Sequence, residues 1–332
     1  MKTSFRPAWW LPHAHLQTFW PFVFRKSANL QTRKERFELP DGDFVDLNWT
    51  LRHSQGPLVI VLHGLEGSIA SSYAGGILSA IEACGWRGLF MHFRSCSGEL
   101  NRTPRMYHSG DTADLAAVVA MIRQREPETP LAAVGYSLGG NVLLKWLGET
   151  GSDNPLTAAV GVSVPFQLCL ASDRVNRGLS RLYQWHFLCS LNQKMRVKFA
   201  DSSDWTLPDL KKIRTMRAFD DQVTAPLHGF ENADDYYEKS SSRPFLSKIT
   251  VPTLLLQAED DPFMTPDVLP LAHELSPAVT LELTQRGGHV GFVSGRVPWR
   301  AEYWLERRIP EFLRSSLEEV SENKSHEGVV VA

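Results

Sequence analysis

The chain has 332 residues, 43% of them hydrophobic and 22% charged, with a formal net charge of −2. That length is enough for a substantial buried core, and the near-neutral balance excludes the strongly basic face that nucleic-acid binding needs. No run reaches the roughly 18 to 20 apolar residues of a membrane span, and the four cysteines (Cys84, Cys96, Cys169, Cys189) lack the paired spacing of a zinc site or disulfide framework.

The free thiols this implies suit a reducing compartment. The N-terminus lacks the basic, apolar and small-residue pattern of a signal peptide, so a cytoplasmic protein is expected. Residues 1–34 form an aromatic-rich arm with Pro7, Trp9, Trp10, Pro12, Phe19, Trp20 and Phe22. It reads as irregular and as packing its rings on the main body; a wall of an apolar pocket or a membrane-touching patch are the other readings. His13 and His15 have no neighbouring partner that would make them metal ligands.

Residues 35–40 and 44–51 read as an antiparallel hairpin turning at Asp41-Gly42. A buried strand at 57–62 ends in the loop His63-Gly64-Leu65-Glu66-Gly67-Ser68, followed by a helix over about 71–84. Residues 86–93 form the next strand. Its polar continuation carries Arg94, Cys96 and Glu99, which either touch a substrate or brace the loop. Asp111 is the expected N-cap of a helix running to about 126, with Asp114 in its first turn. A strand at 130–134, a helix from 141 and a strand at 157–164 follow. The alternation predicts an α/β fold, a mostly parallel sheet flanked by helices.

From 165 to 248 no strand pattern appears, and prolines 208, 226 and 244 break the segment. It reads as a helical cap inserted into a core made of 35–164 and 249–316. Strands at 251–257 and 279–284, a helix near 267–275 and a final helix over 298–316 complete the core. Residues 317–332 read as a disordered polar tail.

The chemistry centres on Gly135-Tyr136-Ser137-Leu138-Gly139. A Gly-x-Ser-x-Gly between strand and helix is a sharp turn that stands the serine clear of the sheet. A Cβ at either glycine would collide with the neighbouring strand or helix. A serine nucleophile needs a base, and the base needs an orienting carboxylate. The loop after 251–257 offers Glu259, Asp260 and Asp261. Asp261, just before the turning Pro262, is the preferred acid, Asp260 the alternative and Glu259 the outsider. His289, between glycines in the next loop, is the base. Backbone N–H groups of Leu138 and Leu65 are the expected oxyanion donors.

The chain resembles the α/β-hydrolase superfamily and, within it, AB hydrolase family 4. The resemblance covers roughly residues 5–315. It rests on His15-Leu-Gln-Thr18, the HGLEGS and RSCSGE loops, GGHVGF, and the spaced series Asp220, Gly229-Phe230, Asp235-Tyr236-Tyr237, Ser241, Ile249, Pro252, Leu254, Leu256 and Asp260-Asp261. It implies cofactor-independent serine esterase or lipase-like activity on carboxylic esters, with Ser137, Asp261 and His289 as the charge relay. Eukaryotic relatives often carry an N-terminal anchor that this sequence lacks, so it looks like a soluble, bacterial member. The HGLE loop in place of HGGG implies a simpler oxyanion hole. The expected partner is a small ester with an apolar, short- to medium-chain acyl group. An acyltransferase is the second reading and a non-catalytic binding protein on the same fold the third. A dehalogenase or epoxide hydrolase would need aspartate at position 137.

Overall fold

A computed structural model describes residues 3–25, 30–200 and 205–327. The arm contains a helix, α1 (Ala14–Phe24), where sequence suggests an irregular stretch. Tertiary bonds supply what local propensity does not. Gln17 Nε2 donates to the Val293 carbonyl (3.1 Å), and Gln17 Oε1 accepts from the Val293 N–H (2.8 Å). Pro21, inside the helix, has no N–H to offer the Gln17 carbonyl.

Strands β1 (Thr32–Glu38) and β2 (Phe44–Thr50) form the expected hairpin. Then β3 (Leu58–Leu62), α2 (Ala74–Ala83), β4 (Arg87–Met91), α3 (Ala113–Arg125), β5 (Leu131–Tyr136), α4 (Leu138–Thr150) and β6 (Ala158–Val162) alternate. Among the described residues, five α-helices lie in the interval before the next strand: α5 (Leu168–Val175), α6 (Ser180–Lys198), α7 (Met216–Phe219), α8 (Ala225–His228) and α9 (Ala233–Ser240). A π-helical turn, Asp220–Thr224, joins α7 to α8. Strands β7 (Thr253–Ala258) and β8 (Val279–Thr284) extend the sheet. A short ribbon of β9 (Val293–Ser294) and β10 (Glu302–Tyr303) precedes α10 (Leu305–Glu327).

The eight strands run in the order β1-β2-β4-β3-β5-β6-β7-β8. All pairings from β4 to β8 are parallel, and only β1 and β2 run against their neighbours. Parallel strands covered on both sides read as unbroken apolar runs. In β3, Leu58, Ile60 and Leu62 pack toward α3 and α4, while Val59 and Val61 pack toward α2 and α10. Asn141 on α4 fastens the inserted helices to this core. Its Nδ2 donates to the carbonyls of Ser109 and Ser240 (2.8 Å each), and its Oδ1 accepts from the Ser242 N–H (2.9 Å).

Three further expectations change. The helix near 267–275 is replaced by two single 3-10 turns, Pro266–Val268 and Ala272–Glu274. Pro270 has no N–H for a helix bond and forces Leu269 into extended backbone. Thr112, not Asp111, precedes α3, and Asp111 instead binds the Arg105 guanidinium (2.5 Å). The final helix starts later than expected and runs to Glu327, into the stretch read as a disordered tail; residues 328–332 lie outside the described residues.

Candidate active site

Ser137 sits at the turn from β5 into α4 with φ 51° and ψ −118°, a strained conformation for a residue with a side chain. Its N–H is tied to the Val162 carbonyl on the neighbouring strand (2.8 Å). The turn is as tight as the sequence suggests. A Cβ on Gly135 would come within 2.5 Å of the Gly139 carbonyl, and one on Gly139 within 2.5 Å of the His63 carbonyl. Helix α4 therefore starts directly behind the hydroxyl, with its unpaired N–H groups and positive dipole end pointing at the site.

The loops after β7 and β8 close on this serine. His289 Nε2 lies 3.0 Å from Ser137 Oγ, and His289 Nδ1 lies 2.8 Å from Asp261 Oδ2. The bonding pattern assigns the tautomer: Nδ1–H donates to the carboxylate, and Nε2 is left to accept the serine hydroxyl. Asp261 is 3% exposed, and its other oxygen accepts the Phe263 N–H (2.8 Å). Asp260, the adjacent residue, takes no part in this chain of bonds; its Oδ1 accepts the Gly288 N–H (2.9 Å) and so shapes the histidine loop. Burial holds the Asp260 carboxyl above its ordinary value. Glu259 is exposed.

Three positions that sequence reasoning missed hold the imidazole. Thr18 Oγ1, on α1, accepts the His289 N–H (2.9 Å). Ser163 Oγ, at the end of β6, accepts the Val290 N–H (3.0 Å). The Phe263 ring stacks on the imidazole with centroids 4.2 Å apart. Thr18 lies 271 residues from its partner, so no local pattern could have joined them.

The loop after β3 faces the same space. His63 is fully buried. Its Nδ1–H donates to the Gly64 carbonyl (2.7 Å), its Nε2 accepts the Phe93 N–H (3.0 Å), and burial depresses its pKa to about 3. It is a neutral brace for the loop. The Gly64 and Glu66 N–H groups donate to the hydroxyls of Tyr73 (3.0 Å) and Tyr107 (2.8 Å). Leu65, between them, borders the cavity, as does Leu138.

That cavity has a volume of about 930 Å³ and a predominantly apolar lining. Leu16, Phe19 and Phe22 of α1, Tyr183 and Phe187 of α6, and Leu227 of α8 contribute to its walls. Two buried polar clusters interrupt it. In the first, Glu66 accepts from Lys194 Nζ (2.6 Å), Ser190 Oγ (2.5 Å) and Tyr107 Oη (2.8 Å). In the second, Asp220 accepts from the hydroxyls of Thr224 and Tyr237 (2.7 Å each), and burial pushes its carboxyl up to about 6. It sits in the π-helical turn, a local irregularity with no sequence signature.

Arg94, Cys96 and Glu99 brace their loop, and none of them lines the cavity. The buried Arg94 guanidinium pairs with Asp41 (2.8 Å), Asp43 (3.0 Å) and Asp114 (2.6 Å). Glu99 pairs with Arg36 (2.7 Å), and burial raises the Cys96 thiol to about 12. Among the described residues no cluster of His, Cys, Asp or Glu could hold a metal ion, and no helix is long and apolar enough to cross a membrane.

The profile of the alpha/beta hydrolase fold family matches residues 57–295. The chain is 44% identical over 324 residues to "Putative esterase YheT" of Escherichia coli K12, covering 96% of this chain and 95% of that protein. It is 31% identical to phospholipase ABHD3 of Mus musculus, covering 95% and 79% of the two chains. Among solved structures, an esterase of Pyrococcus furiosus superposes with a TM-score of 0.59 at 17% identity, over 87% of this chain and 92% of that one. By the family match and these relatives, the chain belongs to the alpha/beta hydrolase family.

Proposed function

We propose that the protein is a serine carboxylesterase acting on esters with an apolar acyl chain. The observation that carries this reading is the hydrogen-bonded series Ser137–His289–Asp261 opening into an apolar cavity. His289 Nε2 takes the proton of Ser137 as Oγ attacks the ester carbonyl. Asp261 keeps Nδ1–H directed at itself and stabilises the imidazolium that forms. The N–H groups of Leu138 and Leu65 receive the oxyanion, at the α4 N-terminus where negative charge is favoured. The proton on Nε2 then passes to the leaving alcohol. Water, deprotonated by the same nitrogen, attacks the acyl-enzyme and frees the acid. Neither half-reaction calls for a cofactor.

The relatives named esterase and phospholipase support ester chemistry. The cavity volume lies near the top of the roughly 300 to 1,000 Å³ usual for small-molecule sites, which favours a medium-length acyl chain over acetyl. The test is hydrolysis of p-nitrophenyl esters of two to twelve carbons by wild type and Ser137→Ala. Turnover in the wild type should peak at a medium chain and fall by about 10⁶ in the variant. Undiminished turnover in Ser137→Ala would refute the mechanism.

A further inference from the structure

Helix α1 is amphipathic the wrong way round for a helix covering a core. Its buried face carries Gln17 and Pro21, fixed against the loop that bears His289. Its outer face carries Leu16, Phe19, Phe22 and Val23, all exposed, with Phe22 at 68%. The helix, Ala-His-Leu-Gln-Thr-Phe-Trp-Pro-Phe-Val-Phe, contains no Lys, Arg, Asp or Glu. Arg25, the residue that follows, is turned inward to Glu306 and lies over the Tyr303 ring. Solvent-facing helix surfaces are normally charged, and a contiguous apolar face of this kind marks an interaction site.

The patch is continuous with the cavity mouth. Leu16, Phe19 and Phe22 are exposed on their outer side and also line the cavity. Across the opening, Leu179 and Leu182 do the same from the start of α6, and Phe22 meets His186 of α6 at 6.3 Å between ring centroids.

We propose that this rim is a docking surface for a phospholipid membrane, from which an acyl chain passes into the cavity without crossing water. The substrate-delivery half of the proposal rests on the esterase reading; the docking half does not. A rim of aromatic and aliphatic side chains at the entrance of an apolar cavity suits an apolar phase. A second copy of the chain seated on the same face would cover the entrance it flanks. Because α1 is uncharged, attachment is driven by apolar burial and is indifferent to salt.

The experiment is co-sedimentation of the full chain with phosphatidylcholine vesicles at about 0.1 M and about 1 M salt, between which the screening length falls from about 10 Å to about 3 Å. Wild type and Ser137→Ala should sediment alike at both salts. Val23→Asp places a charge in the patch, outside the cavity lining, and should partition at least about tenfold less, the equivalent of losing one buried aliphatic side chain. Undiminished turnover of a short, water-soluble ester by Val23→Asp certifies its fold. A wild type that stays in the supernatant, a Val23→Asp that sediments equally, or binding abolished by salt would each overturn the docking proposal. So would a wild-type dimer that Val23→Asp splits and that ignores vesicles. A wild type that binds vesicles yet cleaves no ester would sink the proposed function and leave the docking surface standing.

Discussion

Asp220→Asn probes the charge buried in the cavity wall. Asp220 is 8% exposed, and two hydroxyl donors do not offset its loss of water, so its carboxyl stands at about 6 against an ordinary 3.8. The folded protein therefore holds this proton more tightly than the unfolded chain does. Between about pH 4 and about pH 6 the folded state binds more protons, and its stability falls as pH rises; above about pH 6 the penalty is complete. A shift of about two units at 1.36 kcal/mol each gives an upper bound of about 3 kcal/mol. Asparagine is neutral throughout. Its Oδ1 can still accept from Thr224, and its Nδ2 can donate to Tyr237 Oη, whose proton has Ser172 Oγ as an acceptor 2.9 Å away. In urea unfolding followed by fluorescence, the variant should gain up to about 3 kcal/mol over wild type near pH 8 and lose that advantage near pH 4. Stability curves that stay parallel across this range would refute the assignment of a strained, buried charge.

Asp261→Asn should lower kcat by about 10⁴, the scale expected when the orienting carboxylate is lost, whereas Asp260→Asn keeps an oxygen for the Gly288 N–H and should lose less than about tenfold; equal losses would remove Asp261 from its role. Thr18→Val leaves the His289 N–H without its acceptor, so it should destabilise the fold by about 1–3 kcal/mol and lower kcat on a soluble ester with little change in KM; an unchanged kcat would show that the loop does not depend on α1. Arg94→Met takes the buried cation from Asp114 and Asp43 and should cost about 3–5 kcal/mol, read as a large drop in Tm; a Tm within about one degree of wild type would mean that this cluster does not brace the loop.

The parts of the site that were legible in sequence are those whose chemistry is local. Ser137 is marked by its own flanking glycines and strand, and His289 and Asp261 follow strands in the order that such a serine requires. The choice between Asp260 and Asp261 turned on one proline. The supports were not legible, because each joins segments far apart in the chain: Thr18 to His289, Ser163 to Val290, Lys194 to Glu66. The same cause explains α1. Its aromatic and proline content gives little helical signal, and the bonds from Gln17 to Val293 that hold it are invisible until β9 is placed. The lost helix near 267–275 is different in kind, since Pro270 was available to exclude it.

Helix α1 joins two functions that kinetics can separate. Thr18 reaches inward and fixes the backbone of His289, while Val23 faces outward on the same helix, about one and a half turns further on. A change at Thr18 therefore acts on the proposed base and should lower kcat for monomeric and aggregated esters alike. A change to aspartate at Val23 leaves the base untouched and acts only on access from a lipid surface. On a water-soluble ester Val23→Asp should match wild type, and on the same acyl group presented in vesicles its rate should fall about tenfold at limiting lipid, in step with partition, and recover when lipid is raised. Thr18→Val should show no such recovery. Identical profiles for the two variants on both substrates would mean that α1 acts as one rigid support for the histidine loop, and that its uncharged outer face plays no part in reaching the substrate.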